Sequence, residues 1–197
     1  MSRARHFPLF LDLEGKPCLV VGGGPVALRK AQALESFGAR VTIVGGTGVP
    51  PVRRRTGANG QDARSTGEYV GRNFVDADVE GKTLVVSATD DRATNARVAS
   101  LCKRRGIPVN VVDDPANCTF FFPAIARKGP LTVAVSSGGA CPVAAKMVRD
   151  KAARLLTDDF VSEVEQLGRR REELKKQYPD PQERRRVCEE ALAKWNG

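Results

Sequence analysis

The residues that could do chemistry come early, as Gly22-Gly23-Gly24-Pro25-Val26-Ala27. They follow Lys16–Val21, a short apolar run suited to a buried parallel strand. Leu28, Ala31 and Leu34 then recur at helical spacing, and Phe37–Gly38 marks a glycine stop. The order is strand, G-x-G-x-x-A turn, helix. Gly22 allows the tight turn, and Gly24 puts no side chain between the backbone and a pyrophosphate. Ala27 is small enough for the helix to lie close to the strand. The N–H groups that open the helix face the phosphates, with the helix dipole behind them. A bare match of this kind is equally a plain tight turn. Here a strand precedes it, a helix follows, and a second apolar strand, Arg40–Val44, comes next, so the spacing predicts dinucleotide binding.

Such a turn needs a sheet to hold it. Thr83–Ala88 reads as a third buried strand, followed by Thr89-Asp90-Asp91 as a turn and helix cap, with Asp90 as the capping residue. Thr94–Arg105 spaces Ala96, Val98, Ala99, Leu101 and Cys102 helically, and Gly106 stops it. Pro108–Val112 is a fourth strand. Alternating strands and helices predict a parallel sheet with right-handed crossovers. Its ligand belongs at the strand C-terminal ends, where the Gly22–Gly24, Thr89–Asp90 and Asp113 turns gather. Residues 45–67 interrupt this pattern with Gly, Pro, Arg and Thr and little apolar periodicity, which predicts a mobile loop before order returns at Glu68–Phe74.

Beyond Asp113 the texture changes. Thr119–Ala126 and Leu131–Ser136 flank Arg127-Lys128-Gly129-Pro130 and predict a β-hairpin, which must pair with something because a hairpin is marginal alone. Helices are expected over Val143–Leu156, Phe160–Gln177 and Pro181–Trp195. The domain expectation is residues 1–113 for the sheet domain, 114–147 for the hairpin segment and 148–197 for a helical tail.

Composition narrows the function classes. The chain has 197 residues, enough for one full domain and a smaller one. A net charge of +9 favours an anionic partner, nucleic acid or a small polyanion. The basic runs at Arg169–Arg171, Lys175–Lys176 and Arg184–Arg186 also fit solvated helical faces. Aromatics make up only 6% and do not interleave with the basic runs, which argues against a stacking surface for single strands, and no nucleic acid is expected. No apolar stretch is long enough to span a bilayer and no signal segment follows the basic start, so no membrane partner and a cytoplasmic location are expected. Five scattered cysteines without C-x-x-C, and a single histidine, predict reduced structural thiols and no metal site.

Five motifs together are familiar. Phe7–Ala31, Ser87–Asp91 (SATDD), Val109–Pro115 (VNVVDDP), Phe121–Ala124 (FFPA) and Val133–Ala145 (VAVSSGGACPVAA) resemble the precorrin-2 dehydrogenases and the N-terminal part of the siroheme synthases, in order and in spacing. The resemblance implies an α/β chain: a Rossmann-type parallel sheet domain, a small β dimerisation segment and a helical C-terminal domain. It implies a homodimer that uses NAD to oxidise precorrin-2 to sirohydrochlorin, a polycarboxylate suited to a basic protein. Some relatives also insert iron, so a combined dehydrogenase and ferrochelatase is the alternative. A dinucleotide-binding regulator or a porphyrinoid carrier without catalysis is the more distant one.

Carried over residue by residue, the resemblance gives Gly22, Gly23, Gly24, Pro25 and Val26 to the cofactor turn. It gives Gly46 and Thr47 to the adenosine side, and Thr89 and Asp90 to the nicotinamide side. Asp113 matches the catalytic aspartate, a general base or proton relay; the plainer role for it is a turn cap beside Pro115. Ser137 matches a serine near the active site that can be phosphorylated, and it is equally a simple turn serine before two glycines. No carboxylate follows Val44 to take a ribose hydroxyl, and Arg53, Arg54 and Arg55 stand close enough in sequence to take a 2′-phosphate, which leaves NADP open beside NAD.

Overall fold

The computed structural model describes residues 6–46 and 67–195. They fall into two compact units, one over Pro8–Phe121 and the other over the rest.

The first unit is a five-stranded parallel sheet in the order β3-β2-β1-β4-β5. Its strands are β1 (Pro17–Val21), β2 (Arg40–Val44), β3 (Glu68–Val70), β4 (Leu84–Ser87) and β5 (Val109–Val111). Helix α1 (Pro25–Glu35) joins β1 to β2, and α2 (Arg92–Arg104) joins β4 to β5. This is the Rossmann-type order, with the reversal between β1 and β4. Alternation along the strands separates two faces. Leu19, Val21, Val44, Val85, Val109 and Val111 share one apolar cluster with Val98, Ala99, Leu101 and Cys102 of α2. Against β1 and β2 lies α1, which buries Ala27, Ala31 and Leu34. The small alanines let the helix come close to the strands. Burial is worth about 1.5–3 kcal/mol for each Val or Leu. Burial also raises the thiols of Cys18 and Cys102, Cys102 to about 11, so these cysteines pack rather than react.

The sequence expectations for β1, α1, β2, β4, α2 and β5 correspond to these elements within a few residues. Helices α1 and α2 both end in positive-φ glycines, Gly38 at 81° and Gly106 at 68°. The edge strand β3 was not expected: with three residues it is too short to show alternation, and only its ladder to Thr42–Val44 defines it. Thr119 and Phe120 are not hairpin strand. The Thr119 N–H donates to the Val109 carbonyl (2.8 Å), and Asn110 Nδ2 donates to the Phe120 carbonyl (3.0 Å), so this segment lies along β5.

The second unit opens with the antiparallel pair β6 (Ala124–Lys128) and β7 (Leu131–Val135). Pro123, which has no N–H, stands just before β6. Helix α3 (Pro142–Ala153) packs on both strands. The long helix expected over Phe160–Gln177 is two: α4 (Asp158–Arg169) and α5 (Arg171–Gln177), parted at Arg170. Gly168 weakens the last turn of α4 before that break. Helix α6 (Pro181–Ala191) and a short 3-10 turn at Ala193–Trp195 complete the unit. No helix among the described residues is long and apolar enough to cross a membrane.

Candidate cofactor and active site

The strand C-termini form one ledge. Past the strands, Gly22 N–H donates to the Val44 carbonyl, Ala88 N–H to Val21 and Val112 N–H to Ser87, at 2.7, 2.7 and 2.9 Å. The turns at Gly22, Ala88 and Val112 are therefore held level with one another. Gly22 has φ 123°, and a Cβ there would drive into the Ala88 carbonyl, so only glycine lets β1 and β4 exit side by side. Gly24 is the opposite case. A Cβ there would meet nothing within 4 Å, so the backbone faces open space. Gly24 is also the N-cap of α1, extended at φ −76° and ψ 173°, with no side-chain cap and no acidic residue in the first turn. Pro25 takes N1, where its missing N–H costs nothing. Among the described residues, the N–H groups that follow have no side-chain partner. An exposed glycine beside uncapped helix donors is the shape and charge that a pyrophosphate fits.

Beside this turn is a cleft of about 530 Å³ lined by Val26, Ala88, Thr89, Asp90, Arg92, Asn95, Val112, Asp113 and Asp114. It brings together four of the residues singled out from the sequence, Val26, Thr89, Asp90 and Asp113, at the point where strand order reverses. Gly22–Pro25 lead directly into Val26. Gly46 sits at the end of β2. Thr47, Arg53–Arg55 and most of the 45–67 stretch lie outside the described residues. Ser137 belongs to the second unit, where its hydroxyl accepts a hydrogen bond from the Cys141 N–H at 3.1 Å.

Two Asp–Asp pairs contribute to the cleft, through Asp90 in one and both Asp113 and Asp114 in the other, and each divides its labour. The cap of α2 is Asp91 and not Asp90. Its carboxylate accepts from Ala93 N–H (3.0 Å), Thr94 N–H (3.2 Å) and the Thr94 hydroxyl (2.5 Å). Those bonds, the Thr94 hydroxyl foremost, hold its pKa below the usual carboxylate value. At β5, Asp114 accepts from Asn117 Nδ2 at 2.8 Å, while its N–H closes a turn to the Val111 carbonyl at 3.3 Å. Asp90 and Asp113 have no hydrogen bond or ion pair among the described residues, and both face the cleft. Asp113 has φ 59°, the one described non-glycine residue in the left-handed region. Aspartate tolerates that conformation better than most residues, yet it remains a conformation that surrounding structure must enforce.

Two contributors escaped the sequence reading. Asn95, in the first turn of α2, binds across to Ser87 and Thr89. The Tyr69 hydroxyl lies 3.2 and 3.1 Å from the Gly45 and Gly46 carbonyls, over the end of β2. Neither carries a local motif. An amide one turn into a helix that begins at a ligand turn was the available signal for Asn95; nothing comparable marks Tyr69.

Comparison with known proteins bears on the family and the fold. Residues 9–124 match the family described as NAD(P)-binding, and residues 128–155 match the sirohaem biosynthesis protein central segment. Siroheme synthase of Ectopseudomonas mendocina is 42% identical over 189 residues, covering 95% of this chain and 39% of the relative. Siroheme synthase of Thioalkalivibrio sulfidiphilus is 40% identical over 186 residues, covering 94% of this chain and 37% of the relative. The chain thus spans about two fifths of the length of the curated relatives it matches. The solved structure of SirC, precorrin-2 dehydrogenase, shares the fold with a TM-score of 0.70 at 22% identity, over 95% of this chain and 89% of that one. With the NAD(P)-binding match running from the segment before β1 to the first residue of β6, the chain belongs to the NAD(P)-binding family, in the form that siroheme synthases carry.

Proposed function

We propose that this chain binds NAD along Gly22–Val26, Gly46, Thr89 and Asp90 and uses it to oxidise precorrin-2 to sirohydrochlorin. The observation that carries the reading is the pairing, across one cleft, of an open glycine turn with an unbonded aspartate. When bound there, the nicotinamide supplies the hydride acceptor. The chain supplies the rest. Backbone N–H groups at the start of α1 hold the pyrophosphate, and Gly24 leaves room for it. The Thr89–Asp90 turn borders the nicotinamide end. Oxidation also releases a proton, and the Asp113 carboxylate, free of competing bonds, accepts it. The names of the matched relatives support the substrate, and the net charge of +9 suits a polycarboxylate. NADP is the alternative acceptor.

A homodimer formed through Thr119–Ser136 goes with this reading. The β6–β7 pair is a two-stranded sheet whose outer edges carry no ladder among the described residues, which is a marginal arrangement alone. Val143, Met147 and Val148 on α3 add an exposed apolar face, at 65%, 58% and 54% exposure. The deciding experiment is anaerobic incubation with precorrin-2 and NAD, then with NADP, followed by the absorbance of sirohydrochlorin. Formation of sirohydrochlorin only when a nicotinamide cofactor is present supports the proposal. Turnover without cofactor, or none with either, overturns it.

A further inference from the structure

The side chain of Asn95 is engaged on two sides. Its Oδ1 lies 2.7 Å from the Ser87 hydroxyl and 2.8 Å from the Thr89 hydroxyl, with the Thr89 N–H at 3.4 Å. Its Nδ2 donates to the Thr89 carbonyl at 2.8 Å. Ser87 is fully buried on β4, so its hydroxyl must find a partner inside the protein, and Asn95 is that partner. Thr89 is thereby gripped at its hydroxyl, its N–H and its carbonyl by one residue of the neighbouring helix. Asn95 itself lines the cleft.

A side chain in a helix leans back over the turn that precedes it, so an amide one turn into α2 covers the strand-to-helix corner. The Asn95 amide offers an acceptor and a donor from one short planar group. A carboxylate of the same shape would set an anion against the Thr89 carbonyl, and an apolar isostere would leave the Ser87 hydroxyl orphaned. Asp91 already caps α2, so the helix start does not need Asn95. The bonds that Asn95 makes fix the corner at Thr89, not the helix.

We infer that Asn95 is a positioning residue: it locks the Thr89–Asp90 turn in the shape that receives the nicotinamide end of the cofactor. The inference rests on the cofactor reading above. Its measurement is binding rather than turnover, so the two can fail separately.

The test compares two probes on the full chain, NADH and ADP. ADP carries the pyrophosphate and adenosine parts and needs only the glycine turn and the end of β2. NADH also needs the Thr89 corner. Asn95→Asp and Asn95→Leu should weaken NADH about tenfold, the loss of one to two hydrogen bonds, and leave ADP unchanged. Ser87→Ala, which removes one donor to Oδ1, should weaken NADH by about twofold to threefold. Val98→Ala, a buried change in the same helix with no polar contact to the cleft, supplies a variant of lowered melting temperature for comparison. The expected pattern is selective loss of NADH in the Asn95 variants and none in Val98→Ala at a temperature where all are folded. Equal affinity for NADH in wild type and both Asn95 variants overturns the inference. So does parallel weakening of NADH and ADP, which would mean a general loosening of the domain. Failure of the wild-type chain to bind NADH at all would instead overturn the cofactor reading.

Discussion

Two helices start from the same edge of the same sheet, and they start in opposite ways. Helix α2 is closed by Asp91, whose carboxylate takes two backbone N–H groups and the Thr94 hydroxyl. Helix α1 is opened by Gly24 and Pro25, with no side-chain cap and no acid in its first turn. An N-cap carboxylate in place of alanine is commonly worth about 1 kcal/mol. The α1 start forgoes that stabilisation and leaves its first N–H groups without a side-chain cap, donors that the proposed reading gives to the pyrophosphate. On the proposed reading, the contrast separates the part of this edge that holds the fold from the part that receives the cofactor.

The sharpest way to break the contrast is to make α1 start like α2. Gly24→Asp meets no clash, because a Cβ at Gly24 has open space and the backbone is already extended there. As a cap, Asp improves on Gly by only a few tenths of a kcal/mol, so the melting temperature should hold or rise slightly. On the proposed reading, the same carboxylate would occupy the pyrophosphate's place and repel it. NADH affinity should fall by about a hundredfold or more, read by fluorescence titration alongside circular dichroism. Wild-type affinity in the folded variant would remove the glycine turn from the site.

The Asp–Asp pairs carry the same division, and Asp113 is the member to test next. Asp113→Ala would confound two effects, since alanine is disfavoured at φ 59°. Asp113→Asn keeps a residue that tolerates the left-handed region and removes only the ability to take a proton. Turnover should fall by about 10²–10⁴-fold with NADH affinity little changed. Asp113→Gly should lose turnover equally while the melting temperature rises, because glycine relieves the backbone. Unchanged turnover in both variants would make Asp113 a turn residue only.

These pairs also mark how far the sequence could be read. The strands and the glycine turn were legible because periodicity and turn chemistry are local. Which Asp of Asp90-Asp91 caps the helix was not: the choice depends on where the helix begins, and one residue of shift exchanges the roles. Edge strand β3 and the path of Thr119–Phe120 along β5 depend on partners far away in the chain, and no local pattern encodes them. Asn95 and Tyr69 escaped for the same reason. The break at Arg170 lay within a helical pattern that runs straight through it.

Breaking the closed start should show in stability rather than in binding. Asp91→Ala should lower the melting temperature by a few degrees and leave NADH affinity within about twofold, since Asp91 does not line the cleft. The effect is pH-dependent. The folded pKa of Asp91 is depressed by its hydrogen bonds, so its contribution is present above the ordinary carboxylate value of about 3.9. It is lost as pH falls through the lower folded value. The gap in melting temperature between wild type and Asp91→Ala should therefore persist from neutral pH to about 4 and close below it. A gap that stayed constant into stronger acid would mean that the carboxylate is not what caps α2.

A small effect on binding is expected at Tyr69, and it tests whether the open part of the edge extends to β2. Gly45 is held from two sides: its N–H donates to the Val70 carbonyl at 3.2 Å, and its carbonyl lies within reach of the Tyr69 hydroxyl. That hydroxyl also reaches the Gly46 carbonyl, which falls where the adenosine side is expected. Tyr69→Phe keeps the ring and its packing and removes only the hydroxyl. The Gly45 and Gly46 carbonyls then lose a donor, but Gly46 is exposed and water can replace it, so the fold should hardly notice. If the hydroxyl sets the course of the chain after β2, affinity for NADH and for ADP should fall together, by about twofold to fivefold, the worth of one partly exposed hydrogen bond. That parallel loss is the reverse of the pattern expected at Asn95, where NADH alone should suffer. Unchanged affinity for both would confine the ligand-holding edge to the β1 and β4 turns.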